Sequence, residues 1–109
     1  MKGYNMFIAM NRFQVRLEST EAFEAVWRDR DSHLVGVPGF VEFHLLKGPE
    51  AEDHVLYASH TIWQNRADFE AWTRSDAFRQ AHKNAGQNKD FYLGHPQFEA
   101  FDAVLKTTG

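Results

Sequence analysis

Hydrophobic residues recur along this chain either at every second position or at helical spacing, and stretches of the two patterns alternate. The stretch from Met6 to Leu17 predicts a first strand, with one face apolar throughout and the other apolar only at its start. Ser19 or Thr20 can cap the following helix, in which helical spacing continues to Arg30. The turn at Gly36–Gly39 ends this first strand–helix unit.

Three more strands and two helical segments are predicted beyond that turn. The strands are expected at 40–47, 54–63 and 98–106, and the helical segments at 66–73 and, with a cap at Ser75, to about Ala85. Residues 48–53 should form a polar hairpin loop, and residues 86–97, which lack periodicity, a mobile loop. The β-α-β-β-α-β order predicts a ferredoxin-like α+β protomer, in which helices cover one face of a four-stranded antiparallel sheet.

The other face of that sheet bears on assembly. The first strand points three apolar side chains toward this face, those of Met6, Ile8 and Met10. A monomer would leave them exposed. Two sheets packed face to face would cover them, and a single domain of 109 residues gains much stability from such pairing. We therefore expect one domain over residues 1–109 that forms a homodimer.

Composition narrows the classes of function. The formal net charge is -3 and the pI is about 6.0, so the basic face that nucleic-acid binding usually requires is not expected. Since the chain has no cysteine, a disulfide framework, a thiolate metal site and a cysteine nucleophile are excluded. The apolar run from Met6 to Met10 is too short for a signal peptide or a membrane span, and a cytoplasmic protein is expected.

Three residues have side chains that would suit a ligand pocket. Asn11 should face the helices, either as a core amide bonded to backbone or as a ligand donor, because an unpaired buried amide costs about 1–3 kcal/mol. Trp72 follows Phe69 on one helix face, and His82 follows Phe78 on an apolar stripe; each taken alone could be a core residue. Neutral imidazole is the commonest proximal ligand of haem iron, so the three together would suit a haem pocket.

Two other histidines offer a separate candidate metal site. His44 and His60 could meet across the second and third strands and would supply two ligands of a zinc or non-haem iron site. No nearby carboxylate at ligand spacing is expected to complete it. The chain has no glycine-rich phosphate loop, GxSxG or HExxH, so the mechanisms that use them are not predicted.

The segment from Phe69 to His82 carries a motif that resembles a known family. It reads Phe-x-x-Trp-x-x-Ser-x-x-Phe-x-x-Ala-His and accompanies Ile62-Trp63 and the strand residue Asn11. In these features the chain resembles the IsdG-type haem-degrading monooxygenases of the antibiotic biosynthesis monooxygenase superfamily, and most of all their rhizobial HmuQ-like branch. The similarity extends from Met6 to about Lys106.

The resemblance implies an assembly, a substrate and residue roles. The family protomer pairs into a dimeric α+β barrel. Asn11, Trp72 and His82 would be catalytic, with His82 as proximal iron ligand, Asn11 bonding toward the oxygen-binding side and Trp72 distorting the haem. Phe69 and Phe78 would help to bind the haem. Haem would be both cofactor and substrate, and molecular oxygen with an external electron donor, a reductase or small reductant, would open it to a linear tetrapyrrole and release iron.

Two other functions stay open on the sequence. One is a cofactor-independent monooxygenase of the same superfamily, which acts on a phenolic or quinol substrate and is indifferent to haem. The other is a non-catalytic haem carrier, which binds haem without degrading it. Turnover of bound haem in the presence of an electron donor and oxygen would separate all three.

Overall fold

A four-stranded antiparallel sheet with helices on one face forms the protein, as the computed structural model describes it over residues 6–29, 33–82 and 90–109. The elements are β1 (Phe7–Arg16), α1 (Thr20–Asp29), β2 (Phe40–Glu50), β3 (His54–Trp63), α2 (Arg66–Thr73), α3 (Asp76–His82) and β4 (Gln97–Asp102). The strand order is β2-β3-β1-β4, and every neighbouring pair is antiparallel. The predicted ferredoxin-like α+β fold is thereby confirmed.

The first half of the chain follows the prediction closely, and the main difference lies in β2. A short 3-10 turn at Leu17–Ser19 leads from β1 into α1, and the predicted helix end at Arg30 lies outside the described residues. β2 was predicted to end at Lys47 but continues to Glu50, because Glu50 still pairs with Val55 beyond an irregularity in the register. The hairpin loop is correspondingly shorter.

The last strand is shorter than predicted. β4 ends at Asp102 and not at Lys106, because Asp102 already pairs with Phe7, the first residue of β1. One more hydrogen bond, from the Ala103 N–H to the Met6 carbonyl at 2.9 Å, continues the pairing. The strand's length is thus set by the length of its neighbour and not by its own alternation.

Part of the predicted loop over residues 86–97 contacts the sheet. Residues 86–89 and the predicted helix end at Ala85 lie outside the described residues. Tyr92 forms an isolated bridge with Val15 and stacks on Phe13 with ring centroids 5.5 Å apart. The Leu93 N–H donates to the carbonyl of Gln14 at 2.9 Å. A lack of periodicity therefore did not mean a lack of contacts, since one aromatic residue anchors this segment on β1.

The buried side chains form two clusters instead of one. One cluster contains Phe13, Val15, Phe23, Val55 and Tyr57, and the other contains Phe7, Ala9, Leu34 and Trp63. Asn11 has the same phase along β1 as the buried residues on either side of it, so it faces the helices as predicted, but it is only half-buried. The hydrophobic core is therefore interrupted at the middle of β1.

The sheet face away from the helices carries the other alternating set of β1 side chains. Ile8 lies between Ile62 of β3 and Phe101 of β4, and Phe101 is 49% exposed. Met10 follows on the same face and is half-buried. In the part of the chain that the structure describes, no helix has the length and apolar character needed to cross a membrane.

A buried tyrosine links the sheet to α1. The Tyr57 hydroxyl donates a short hydrogen bond to the Glu24 carboxylate, while its ring packs on Phe23 with centroids 4.8 Å apart. Burial of the phenol, together with the hydrogen bond and the negative charge of Glu24, raises the pKa of Tyr57. The folded protein therefore holds this proton at a pH where an exposed tyrosine would lose it.

Replacing Tyr57 by Phe should make the protein less sensitive to alkaline pH. Above pH of about 10, the unfolded chain loses the Tyr57 proton while the folded chain keeps it, so this group lowers the unfolding free energy by about 1.4 kcal/mol per pH unit. Tyr57→Phe lacks that contribution, and urea unfolding at several alkaline pH values measures it. Glu24→Gln, which keeps the burial, should retain most of the slope. Equal slopes for wild type and Tyr57→Phe would contradict the assignment.

Candidate active site

A cavity of about 400 Å³ lies at the interruption of the core, between the sheet and the α2–α3 segment. This volume falls within the range of about 300–1,000 Å³ that is usual for small-molecule sites. None of the described lining residues is a lysine, arginine, aspartate or glutamate. Its aromatic lining residues are Trp27, Phe43, Phe69, Trp72, Phe78 and Phe98. The cavity therefore suits a ligand with a large flat apolar body.

All five residues that the sequence singled out for a haem pocket line this cavity. Asn11 reaches it from β1, Phe69 and Trp72 from α2, and Phe78 and His82 from α3. The fold brings these distant residues together, because Phe69 of α2 packs on Phe7 of the central strand β1 and α3 packs on α2 through Trp72. The structure brings the predicted residues together.

The Asn11 carboxamide is available to a ligand. A core amide satisfied by neighbouring backbone would show a hydrogen bond, and its side chain makes none within the described residues. Its neighbours in the same phase, Ala9 and Phe13, are buried, so the half-buried amide marks the edge of the cavity. An amide in this position can donate to, or accept from, a bound molecule.

Ser75 fixes the relative position of α2 and α3. Its Oγ donates to the Trp72 carbonyl at 2.6 Å and accepts from the Phe78 N–H at 3.1 Å, which confirms the predicted cap at Ser75. A single side chain thus joins the last turn of one helix to the first turn of the next. As a result, the rings of Trp72 and His82 lie with their centroids 5.9 Å apart.

Trp72 is wedged among other aromatic rings. It meets Phe78 edge to face at 4.8 Å and packs on the fully buried Trp63 at 5.4 Å. Its Nε1 is shielded from solvent and has no acceptor among the described residues. Leaving such a donor unpaired costs about 1–3 kcal/mol, so a ligand acceptor beside Trp72 would be stabilised.

The His82 ring has a defined tautomer and one free nitrogen. It stacks on Phe78 with centroids 4.2 Å apart, and its Nδ1 lies 2.9 Å from the Phe78 carbonyl oxygen. Because a carbonyl only accepts, Nδ1 carries the proton in this bond. In the neutral ring Nε2 is then unprotonated, and it is free to bind a metal ion or to accept a proton.

Several lining residues were not predicted from the sequence. Ser59 and Thr61 on β3 and Thr73 on α2 bring hydroxyl groups to the cavity, and Trp27 and Phe43 form part of its wall. The alternation of β3 placed Ser59 and Thr61 on one face, but nothing in the sequence said which residues of β1 they would meet. The register between the strands supplies that information.

The His44–His60 contact occurs, on the sheet face away from the helices. The two residues are paired across β2 and β3, with ring centroids 5.7 Å apart. A carboxylate does lie beside this pair: Glu42 Oε2 is 2.7 Å from His44 Nε2, because residues two apart in a strand share a face. Even so, no group of three or more candidate ligands among the described residues could hold a metal ion.

Known proteins resemble this chain over most of its length. The family model described as antibiotic biosynthesis monooxygenase matches residues 6–84. A heme-degrading monooxygenase of Shouchella clausii (strain KSM-K16) is 34% identical over 101 residues, 92% of each protein. A staphylobilin-producing heme oxygenase of Staphylococcus haemolyticus (strain JCSC1435) is 30% identical over 79 residues, 72% of this chain and 75% of that protein.

Solved structures share the fold at lower identity. The heme degrader MhuD of Mycobacterium tuberculosis, solved with two hemes in its active site, has a TM-score of 0.68 at 22% identity, covering 94% of this chain and 99% of that one. SnoaB, a cofactor-independent oxygenase of Streptomyces nogalater, has a TM-score of 0.66 at 20% identity, covering 94% and 96%. The narrower likeness to the HmuQ-like branch stays a prediction. Because the family model covers most of the chain and a curated relative aligns with nearly all of it, the chain belongs to the antibiotic biosynthesis monooxygenase superfamily, in its IsdG-type group.

Proposed function

We propose that this protein is an oxygen-dependent enzyme that degrades haem to a linear tetrapyrrole and releases its iron. The observation that carries the proposal is that Asn11, Trp72 and His82, predicted as a set, line one apolar cavity. The activities of the two curated relatives, a heme-degrading monooxygenase and a heme oxygenase, support it. So does MhuD, a heme degrader with the same fold.

The cavity fits the chemistry of a porphyrin. A macrocycle is flat and apolar and packs well against aromatic rings, which line this cavity on several sides. Its carboxylate edge must stay near water or cations, and the described lining offers no cation. Phe98, a lining residue on β4, is 56% exposed. The carboxylate edge would remain in water there.

His82 is the residue proposed to bind the iron. Its Nε2 is the free nitrogen, since Nδ1 donates to the Phe78 carbonyl. A backbone acceptor on the far nitrogen fixes the tautomer and the ring orientation of a metal-binding histidine. Stacking on Phe78 further restricts rotation of the ring, so the nitrogen is positioned before the ligand arrives.

Trp72 and Asn11 are proposed to act on the macrocycle and on its sheet side. Trp72 packs against the fully buried Trp63, so it cannot withdraw when a ring presses on it, and it would form a rigid wall against the macrocycle. Asn11 would donate a hydrogen bond from the sheet.

Bound haem would supply the iron that activates molecular oxygen as well as the porphyrin that is cleaved. An external donor, a reductase or a small reductant, would supply electrons, and we expect the enzyme in the cytoplasm.

A homodimer is part of the proposal. Ile8, Ile62 and Phe101 form adjacent apolar positions on the sheet face away from the helices. Covering them with the same face of a second copy would remove this apolar surface from water. The family's dimeric α+β barrel would bury the sheets in this way and leave both cavities, on the opposite faces, accessible.

Purified protein mixed with hemin should develop a Soret band and lose it when ascorbate or a reductase is added in air. Chromatography should then show a linear tetrapyrrole, and a ferrous chelator should trap released iron. A stable Soret band would indicate a carrier. Oxygen uptake with a phenolic or quinol substrate, unaffected by hemin, would indicate a cofactor-independent monooxygenase; SnoaB, which shares the fold, is a cofactor-independent oxygenase.

Replacing His82 by Ala should remove the iron ligand and leave the rest of the cavity in place. We expect hemin to bind more than about tenfold more weakly, since even loss of a supporting partner of a metal-binding histidine commonly costs 10–100-fold. The Soret maximum should shift, and added imidazole should restore it. His95→Ala, a change at an exposed residue that does not line the cavity, is the matched control. A wild-type spectrum for His82→Ala would rule out its role as ligand.

Replacing Phe101 by Glu should weaken the homodimer. Phe101 is half exposed in the protomer, so a carboxylate is tolerated there in the monomer but is costly when a second sheet covers it. Sedimentation equilibrium should show about twice the 12.6 kDa protomer mass for wild type and a shift toward that mass for the variant. Val35→Glu, at a residue 93% exposed outside the sheet, should leave the mass unchanged. A dimeric Phe101→Glu protein would contradict this interface.

A further inference from the structure

Ser59 lies directly opposite Asn11 on the neighbouring strand. The β1–β3 register pairs the two residues, and both line the cavity. Residues directly opposite in an antiparallel pair have Cβ atoms about 4.5–5.5 Å apart. The hydroxyl and the carboxamide are therefore neighbours on the sheet wall of the cavity.

The row of side chains that contains this pair is otherwise apolar. Across the sheet the pair is flanked by Phe98 on β4 and Leu45 on β2. Along the strands, the next residues in the same phase on one side are the buried Phe13 and Tyr57. Valine or alanine would pack in such a row without introducing a polar group, so packing alone does not account for a serine here.

The Ser59 hydroxyl also has no partner within the described residues. Thr73, another hydroxyl of the cavity lining, donates to the Glu70 carbonyl at 2.7 Å and is thereby satisfied. Ser59 has no such local bond, and the side chain paired beside it, Asn11, is equally free. Two adjacent, unused polar groups in an apolar cavity are the arrangement expected where a ligand supplies the missing partners.

We infer that Ser59 is a second hydrogen-bond donor of the site, acting beside Asn11 on the small electron-rich molecule that occupies the sheet side of the cavity. On the proposed function, on which this inference rests, that molecule is the co-substrate, molecular oxygen. Asn11 and Ser59 then provide two hydrogen-bond donors at the oxygen site, one an amide and the other a hydroxyl. Ser59 is thereby a binding residue, and its effect does not pass through Asn11.

The test compares Ser59→Thr with Ser59→Val in the hemin-loaded protein. Both variants add one heavy atom, branch at Cβ and suit a strand, but only Thr keeps the hydroxyl. Cyanide serves as the probe because it is small, electron-rich and binds ferric hemin. Ser59→Val should bind cyanide about 2- to 10-fold more weakly than Ser59→Thr, the effect of one net hydrogen bond. The carbon monoxide stretching frequency of the reduced protein should also be higher in Ser59→Val.

The same pair of variants in an Asn11→Ala background separates direct donation from an effect through Asn11. The Thr–Val difference should persist there. Its disappearance, or equal cyanide affinities in a protein that binds and degrades hemin, would overturn this inference and leave the proposed function standing. A wild-type protein that takes up no hemin would overturn both. Thermal unfolding of the haem-free variants should give equal midpoints, and a lower midpoint for Ser59→Val that tracks the loss of affinity would count against a ligand contact.

Discussion

The site depends on one constraint: two polar side chains lie at the middle of the otherwise largely apolar helix-facing side of the two central strands. Asn11 and Ser59 are paired between two buried clusters, and neither has a hydrogen-bond partner in the described chain. Packing a helix directly on them would bury an unpaired amide and hydroxyl at a cost of about 1–3 kcal/mol each. A cavity at this point avoids that cost, while the clusters on either side stabilise the sheet and helices around it.

The break between α2 and α3 gives the cavity its second wall. One continuous helix would place Trp72 and His82 on a single rod, whereas Ser75 ends one helix and begins the next. The two short helices can then turn their aromatic residues toward the same point. The tilted contact of Trp72 with Trp63, with ring centroids 5.4 Å apart, ties the junction to the second buried cluster. The geometry of the cavity thus depends on a helix cap as much as on Asn11, Trp72 and His82.

The sequence predicted the features that depend on local periodicity, and it did not predict those that depend on pairing between distant strands. The bounds of β3 and α2, the inward direction of Asn11 and the cap at Ser75 follow from alternation, helical spacing and short-range hydrogen bonds. The partner of Asn11 does not, because a register between distant strands leaves no mark in either strand alone. The end of β4 and the Tyr92 bridge were missed for the same reason. The position of Glu42 beside His44 could have been predicted from the sequence, since residues two apart in a strand share a face.

Buried polar groups without a partner do not by themselves identify the site; only those that line the cavity can contact a ligand there. Among the described residues, the shielded nitrogens without partners are His60 Nδ1, Trp63 Nε1 and Trp72 Nε1. Trp63 lies in the core with no exposed surface, and His60 lies on the sheet face away from the helices, so neither can meet a ligand in the cavity. Only Trp72 lines it, together with a free amide and a free imidazole nitrogen. Function is therefore inferred from convergence: a donor, an acceptor and a potential iron ligand reach one apolar space from three separate elements.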